Sequence, residues 1–261
     1  MLIIFRATLN DKEPKWKLSQ SRIGENPGLG YRPRPPREKI ESTLIRFKQS
    51  HEKTYQHWVD DLKEFLADYK TNKEAGADQP VDCSTNPPPT EANKFCVFDY
   101  SRIITDNCTE DNQFGYTHGT PCILIKLNRI FDWMPETYGP EDEDDASLAP
   151  ELTKAIKNVK AKESSSSGHQ NRYIYVTCEG QHPVDKENIG ALEYYPVQGI
   201  NSYYFPFRNQ DNYLSPFVLV QFTTPTRGVL INVECKAWAK NIKHDLTERE
   251  GSVHFEIAID V

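Results

Sequence analysis

The sequence lacks the short motifs that mark the commonest catalytic and metal sites. It contains no C-x-x-C pair, so zinc ribbons and thioredoxin-like redox centres lose their usual signal. Its histidines form neither H-E-x-x-H nor H-x-H, and neither G-x-S-x-G nor a phosphate-binding P-loop occurs. A glycosidase-type carboxylate pair has no local signature and stays open. These absences favour a non-catalytic module that uses no metal and no cofactor.

Long apolar stretches and a concentrated basic region are also missing. The apolar run over residues 1–5 is far shorter than the ~20 residues that cross a bilayer, and no small-residue cleavage site follows it. The formal net charge is −7, and phosphate binding requires a concentrated basic face. We therefore expect no nucleic-acid partner.

Cysteine, in contrast, is present in an even number. The six residues are Cys83, Cys96, Cys108, Cys122, Cys178 and Cys235. An even count without metal-type clustering is typical of an oxidised, extracytoplasmic domain with three disulfides, although the spacing leaves their pairing open. Because no export signal accompanies them, we expect residues 1–9 to be the remnant of a membrane anchor. A cytosolic protein with six free thiols is the alternative.

The region after the expected anchor is rich in proline, glycine and basic residues. Residues 10–38 cannot hold a helix and indicate an extended stem, so we place the folded domain at residues 39–261. Residues 41–47 could form its first strand. Seven apolar residues then recur at helical spacing and predict an amphipathic helix that packs on a larger body. They are Tyr55, Trp58, Val59, Leu62, Phe65, Leu66 and Tyr69.

The remainder of the chain alternates short apolar strands with turn residues. The clearest predicted strands span residues 122–131, 172–178, 191–195, 216–223, 229–239 and 253–261. This density of strands with one helix favours an antiparallel β sandwich. Cys235 points into the core from the middle of its strand, and we expect Cys178 to lie opposite it on a facing strand, so that a bridge would join the two sheets.

An acidic and serine-rich segment interrupts these strands. Residues 136–168 contain the run Glu141 to Asp145 and four consecutive serines, and their composition predicts a flexible, solvated loop. A cation-binding patch is the alternative, but the glycine-punctuated aspartate spacing of an EF-hand is absent.

Two further features favour an extracellular binding role. Asn107 lies in an Asn-Cys-Thr glycosylation sequon. Aromatic residues cluster late in the chain, and Tyr203, Tyr204, Phe205, Pro206 and Phe207 form its densest run. If this run were a strand, both faces would carry rings and at least one ring should be exposed as an interface anchor. Core packing is the competing explanation.

Several segments together resemble one family. They are PGLGYRP at residues 27–33, KEFLADY at 63–69, GTPCILIKLNRI at 119–130, GALEY at 190–194, YFPF at 204–207, LVQF at 219–222 and INVECKA at 231–237. The sequence resembles the β subunits of Na⁺/K⁺-transporting P-type ATPases and, more loosely, those of H⁺/K⁺ pumps. The resemblance covers almost the whole chain.

The resemblance implies a single-pass type II membrane glycoprotein of the plasma membrane with an extracellular, immunoglobulin-like sandwich. It implies sequential bridges that pair Cys83 with Cys96, Cys108 with Cys122 and Cys178 with Cys235. It also implies a non-catalytic partner that helps the catalytic α subunit to fold and reach the membrane and tunes its K⁺ affinity. Cell adhesion between neighbouring β subunits is an alternative role.

The family's Tyr-Tyr-Pro-Tyr-Tyr-Gly contact with the α subunit reads Tyr-Phe-Pro-Phe-Arg-Asn at residues 204–209. The resemblance therefore implies an α-subunit contact at Tyr203 to Phe207. Apolar contact should persist, whereas Phe205 and Phe207 cannot make the hydrogen bonds of tyrosine hydroxyls.

Overall fold

Alternating apolar residues build two main β-sheets in the computed structural model. The structure describes residues 12–39, 41–70, 78–84, 86–91, 93–103, 107–162, 172–245 and 250–261. The expected anchor remnant at residues 1–9 lies outside them. Among the described residues, no helix is both long and apolar enough to span a bilayer.

The first sheet has four strands and the second has five. In the first, the order is β1 (Leu29–Arg32), β5 (Cys122–Leu127), β9 (Phe217–Phe222) and β7 (Leu192–Tyr195). In the second, the order is β2 (Leu44–Lys48), β11 (Ser252–Asp260), β10 (Leu230–Trp238), β6 (Tyr173–Gly180) and β8 (Gly199–Asn201). A small separate pair joins β3 (Gln79–Val81) to β4 (Lys94–Cys96).

The inward-facing side chains of the two sheets form one core. Phe255 of β11 stacks on Tyr31 of β1 with a ring-centroid distance of 4.9 Å and lies 6.3 Å from the ring of Phe222 on β9. All three rings are buried. The structure thus confirms a mostly β sandwich, in which the period-2 pattern places one apolar face of each sheet inside.

The antiparallel prediction needs a correction at β2. This strand pairs in parallel with β11, and β3 also pairs in parallel with β4. The other strand pairs described are antiparallel. A parallel pair needs a long connection, and almost the whole domain separates β2 from β11 in the chain, so no hairpin restricts their direction.

The predicted boundary between stem and domain is also corrected. Strand β1 lies within residues 10–38, yet it pairs with β5 from Leu29 opposite Leu127 to Arg32 opposite Leu124. Leu29 and Tyr31 are buried and belong to the core. The end of the stem is therefore an edge strand of the sandwich.

The predicted helix is present as α1 (Glu52–Lys70). Five of its seven predicted apolar residues are buried, whereas Phe65 and Tyr69 are partly exposed. The Trp58 Nε1–H donates to the carbonyl of Arg46 at 3.1 Å, and the Tyr69 hydroxyl donates to the carbonyl of Ser215 at 2.8 Å. These bonds fix the helix to β2 and to the segment before β9.

The solvated-loop prediction for residues 136–168 is wrong over much of its length. Residues 150–162 form a second helix, α2 (Pro150–Lys162), and a 3₁₀ turn spans Pro140–Asp144. Residues 163–168 lie outside the described residues. The helix buries an apolar stripe at i, i+3, i+4 and i+7 spacing against Tyr173 and Tyr175 of β6, which offsets the cost of ordering the chain. The stripe is Leu152, Ala155, Ile156 and Val159.

The acidic run that motivated the loop prediction lies beside basic side chains of this helix. Lys160 Nζ is 2.6 Å from Glu143 Oε1, and Lys157 Nζ is 3.1 Å from Asp144 Oδ1. Ion pairs thus hold the 3₁₀ turn on α2. A further helix, α3 (Pro183–Asn188), packs on β6 and β10, so the described residues contain α2 and α3 in addition to the single predicted helix.

Candidate interaction surface

The predicted aromatic run forms a half-buried surface rather than a strand. Ser202–Tyr204 is a 3₁₀ turn, and none of the side chains from Tyr203 to Phe207 is either fully exposed or fully buried. Because the run is not a strand, the exposure that a strand would require of at least one ring does not apply to it. Pro206 lacks the N–H that a ladder requires, which explains why the run departs from strand geometry.

Each ring of this run packs against a neighbour in the sandwich. Tyr204 contacts Phe98 with a ring-centroid distance of 5.3 Å, and Tyr203 contacts Tyr204 at 4.5 Å. Phe205 meets Trp133 edge-on at 5.6 Å. Such aromatic pairs fix ring orientations, so the surface is organised before any partner arrives.

Arg129 and Tyr213, which lie outside the predicted contact, support the same run. The Arg129 guanidinium lies 5.0 Å above the ring of Phe207, and its Nε–H donates to Ser215 Oγ at 2.7 Å. The hydroxyl of Tyr213 donates to the carbonyl of Tyr204 at 3.1 Å. Burial raises the pKa of Tyr213 far above its usual value, so this donor keeps its proton. Arg129 lies inside the family-like segment at 119–130, but spacing alone could not show which ring it would cover.

The start of the described chain lies next to this surface. The backbone carbonyl of Lys12 accepts a hydrogen bond from the side-chain amide of Asn209 at 2.8 Å. The Lys12 Nζ lies 3.8 Å from a carboxylate oxygen of Asp78 and of Asp211. Lys17 Nζ lies 5.1 Å from the centre of the Phe131 ring. The stem therefore reaches the sandwich beside the aromatic run.

The six cysteines form the three bridges that the resemblance implies. The Cα–Cα distances are 5.4 Å for Cys83–Cys96, 5.9 Å for Cys108–Cys122 and 4.0 Å for Cys178–Cys235. The inter-sheet role expected for the third bridge is wrong. Cys178 and Cys235 are direct cross-strand partners on β6 and β10 of the same sheet. Alternation places both side chains on the core face but does not specify which strand is the neighbour.

Asn107 of the sequon is exposed, whereas the following Cys108 is buried. The Asn107 side-chain amide donates to the Tyr195 hydroxyl at 3.3 Å. The backbone carbonyl of Asn107 accepts from the side-chain amide of Asn112 at 3.0 Å. The acceptor side chain thus lies on the surface beside β7. The described residues contain no cluster of His, Cys, Asp and Glu suited to a metal ion.

The fold and this surface define a disulfide-bonded β-sandwich domain that presents a pre-organised aromatic patch. The family model described as "Sodium / potassium ATPase beta chain" matches residues 1–255. The chain therefore belongs to the sodium/potassium ATPase β-chain family, as the sequence resemblance predicted.

Individual relatives agree. Sodium/potassium-transporting ATPase subunit beta-2 of Drosophila melanogaster is 43% identical over 258 residues, covering 98% of this chain and 78% of that protein. Subunit beta-1 of the same organism is 38% identical over 261 residues, covering 97% and 77%. Subunit beta-1 of Tetronarce californica is 31% identical over 272 residues, covering 97% and 80%.

Proposed function

We propose that this protein is the non-catalytic β subunit of a sodium/potassium-transporting ATPase. It assembles with the catalytic α subunit, helps it to fold and to reach the plasma membrane, and tunes its K⁺ affinity. The family match over residues 1–255 carries this proposal, and the names of the relatives favour a sodium pump over an H⁺/K⁺ pump. Three disulfides support a location of this domain outside the cell.

The proposed contact with the α subunit is the aromatic run Tyr203 to Phe207. Its rings are half-buried and held by neighbours, which keeps the entropy cost of binding low. Lys12 lies beside the run, and the expected anchor lies at residues 1–9. The position of Lys12 supports an α-subunit contact on the side of the domain where the stem begins.

Co-purification tests the proposal directly. The tagged chain, expressed with its native N-terminal sequence, is captured from gently solubilised native membranes, and the co-purified proteins are identified by mass spectrometry. We expect a P-type ATPase α chain at near-equal amounts. Capture of no α chain under conditions that preserve the endogenous pump would contradict the proposal. The purified chain alone is expected to hydrolyse no ATP.

We also propose that Asn107 carries an N-linked glycan, because its side chain is exposed within an acceptor sequon. Digestion with an endoglycosidase should increase the gel mobility of the secretory-pathway protein. The variant Asn107→Gln should already migrate at the faster position and should not respond to the enzyme. A wild-type chain that does not shift would refute this assignment.

A further inference from the structure

A charged cleft of about 720 Å³ lies between helix α1 and the chain that follows β1. Its lining includes four arginines, which are Arg32, Arg34, Arg37 and Arg129. The cleft is separate from the cystine bridges and from Asn107, and the proposed contact with the α subunit does not use Arg34 or Arg37. This group of four arginines contrasts with the chain as a whole, whose net charge is negative.

One pair of opposite charges in the cleft is already satisfied. Arg32 Nη1 lies 2.9 Å from Asp61 Oδ1, and the backbone N–H of Arg34 donates to Asp61 Oδ2 at 2.9 Å. The guanidinium of Arg34 lies above the ring of Tyr31, 4.5 Å from its centre, and the residue is exposed. Arg37 is also exposed. These two cations therefore border the opening of the cleft.

Arg129 contributes a cation whose position is fixed. Its Nε–H donates to Ser215 and one Nη–H donates to the carbonyl of Tyr213 at 3.2 Å. The pKa of nearby Lys126 is lowered, which in part reflects the positive potential at this side of the cleft. Burial lowers its pKa first, and the charges of Arg129, Arg32 and Arg34 lower it further. This side of the cleft therefore favours an anionic group.

The helix side of the cleft has the opposite character. Glu64 and Asp68 are exposed residues one helical turn apart on α1, and both line the cleft. The rings of Phe65 and Tyr69 lie beside them in the lining. The Arg32 guanidinium already covers one face of the Phe65 ring at 5.3 Å, and Tyr69 packs on neighbouring rings, so the two carboxylates are the groups here that attract an ammonium ion. This wall therefore favours a cationic group.

We propose that the cleft binds a zwitterionic ligand that carries a phosphate and an ammonium group, as phosphocholine does. A polyanion would be repelled by Glu64 and Asp68, and a simple cation would be repelled by the arginines. Several guanidinium groups offer more N–H donors than one carboxylate can accept, so phosphate is the better anionic end. The ligand can be a free small molecule or the headgroup of a lipid.

The test is a calorimetric titration of the purified chain with phosphocholine, with inorganic phosphate and choline chloride titrated separately. We expect phosphocholine to bind more tightly than either half. Arg34→Gln and Glu64→Gln should each weaken it about tenfold, because each removes one charged contact. Matched controls are Arg172→Gln and Glu141→Gln. The native Arg172 and Glu141 form an ion pair at 3.2 Å elsewhere on the surface. These controls should bind like the wild type.

Vesicles of phosphatidylcholine separate the two sources of the ligand. Flotation of the wild-type chain with vesicles, lost in Arg34→Gln and Glu64→Gln, would assign the site to a lipid headgroup, whereas binding of soluble phosphocholine alone would assign it to a free ligand. Tighter binding in Glu64→Gln, or phosphate binding as tight as phosphocholine binding, would replace the zwitterion site with a simple anion site and overturn the proposal. The absence of binding in both arms would overturn it as well.

Discussion

At the scale of single residues, Asp185 is a carboxylate that the fold buries almost completely, with 1% of its surface exposed. Oδ1 accepts hydrogen bonds from the backbone N–H of Asn232 at 2.9 Å and from its side-chain amide at 3.2 Å. Oδ2 accepts from the backbone N–H of His182 at 3.1 Å. Burial alone would raise the pKa of this carboxyl, but the donors from Asn232 and His182 outweigh burial and lower it.

The variant Asp185→Ala should lose about 2–3 kcal/mol of unfolding free energy at pH 7, because it leaves buried N–H donors without acceptors. The pKa in the folded state is below that of the unfolded chain, so the charge-dependent part of the stabilisation exists above the unfolded value of about 4 and is lost as the pH falls through the folded value. Urea unfolding from pH 7 to pH 3 should show the two proteins converging in acid.

Asp185 and the exposed Glu187 both lie on helix α3. Glu187→Ala is therefore the control for Asp185→Ala and should change the unfolding free energy by less than about 0.5 kcal/mol. A difference between Asp185→Ala and the wild type that stays constant down to pH 3 would show that the carboxylate charge is not the stabilising feature.

At the scale of elements, the bridge between β6 and β10 closes the longest loop of the three disulfides, with a sequence separation of 57 residues. The two other bridges span 13 and 14 residues. Loop-closure entropy predicts that the double variant Cys178→Ala/Cys235→Ala loses about 4 kcal/mol, against about 3 kcal/mol for Cys83→Ala/Cys96→Ala. Urea unfolding of the oxidised proteins measures both losses.

The register of β6 and β10 gives this disulfide prediction a second readout. Their pairing extends from Val233 opposite Gly180 to Trp238 opposite Tyr175, so backbone hydrogen bonds should keep the strands together without the bridge. Amide hydrogen exchange should therefore remain slow in both strands of the double variant under native conditions. Separation of the sheets, detected as rapid exchange throughout the core, would indicate the inter-sheet role that the structure excludes.

Helix α2 gives a prediction that distinguishes a folded element from a solvated loop. Ile156 is buried, whereas the neighbouring Lys157 is exposed. Ile156→Ala should cost about 2–4 kcal/mol through lost apolar burial and a residual cavity. Lys157→Ala should leave stability nearly unchanged, apart from the weak ion pair with Asp144. If the two variants had equal melting temperatures, residues 150–162 would be a solvated loop and not a packed helix.

The sequence predicts some of these elements better than others, for physical reasons. Strand β11 and helix α1 were predictable because each repeats apolar residues at one clear period over many residues. Helix α2 was missed because its flanking acidic and serine-rich residues dominate the composition, although Leu152, Ile156 and Val159 carry helical spacing. The conformation of the aromatic run could not be predicted, because the strand propensity of its rings competes with the missing N–H of Pro206.

At the scale of the whole molecule, the stem is attached to the sandwich at several points. Asn26 accepts from the backbone N–H of Lys243 at 2.9 Å and donates to its carbonyl at 2.8 Å. Strand β1 completes the four-stranded sheet, and Lys12 lies beside Asp211. These contacts restrict how the domain can be oriented relative to whatever precedes the stem. They were not predictable from sequence, because neither composition nor periodicity specifies which distant turn an asparagine will meet.

The proposed contact between the aromatic run and the α subunit can be tested at Tyr203, the first ring of the run. Tyr203→Ala should lower co-purified α chain about tenfold, because aromatic anchors in interfaces commonly contribute the largest share of binding free energy. The folded domain should change little, since Tyr203 is only half-buried. Tyr138→Ala is the matched control, because Tyr138 is also half-buried, lies 5.4 Å from Lys240 Nζ and packs on the apolar cluster of helix α2. If both variants retain the α chain equally and melt alike, the contact surface lies elsewhere on the sandwich.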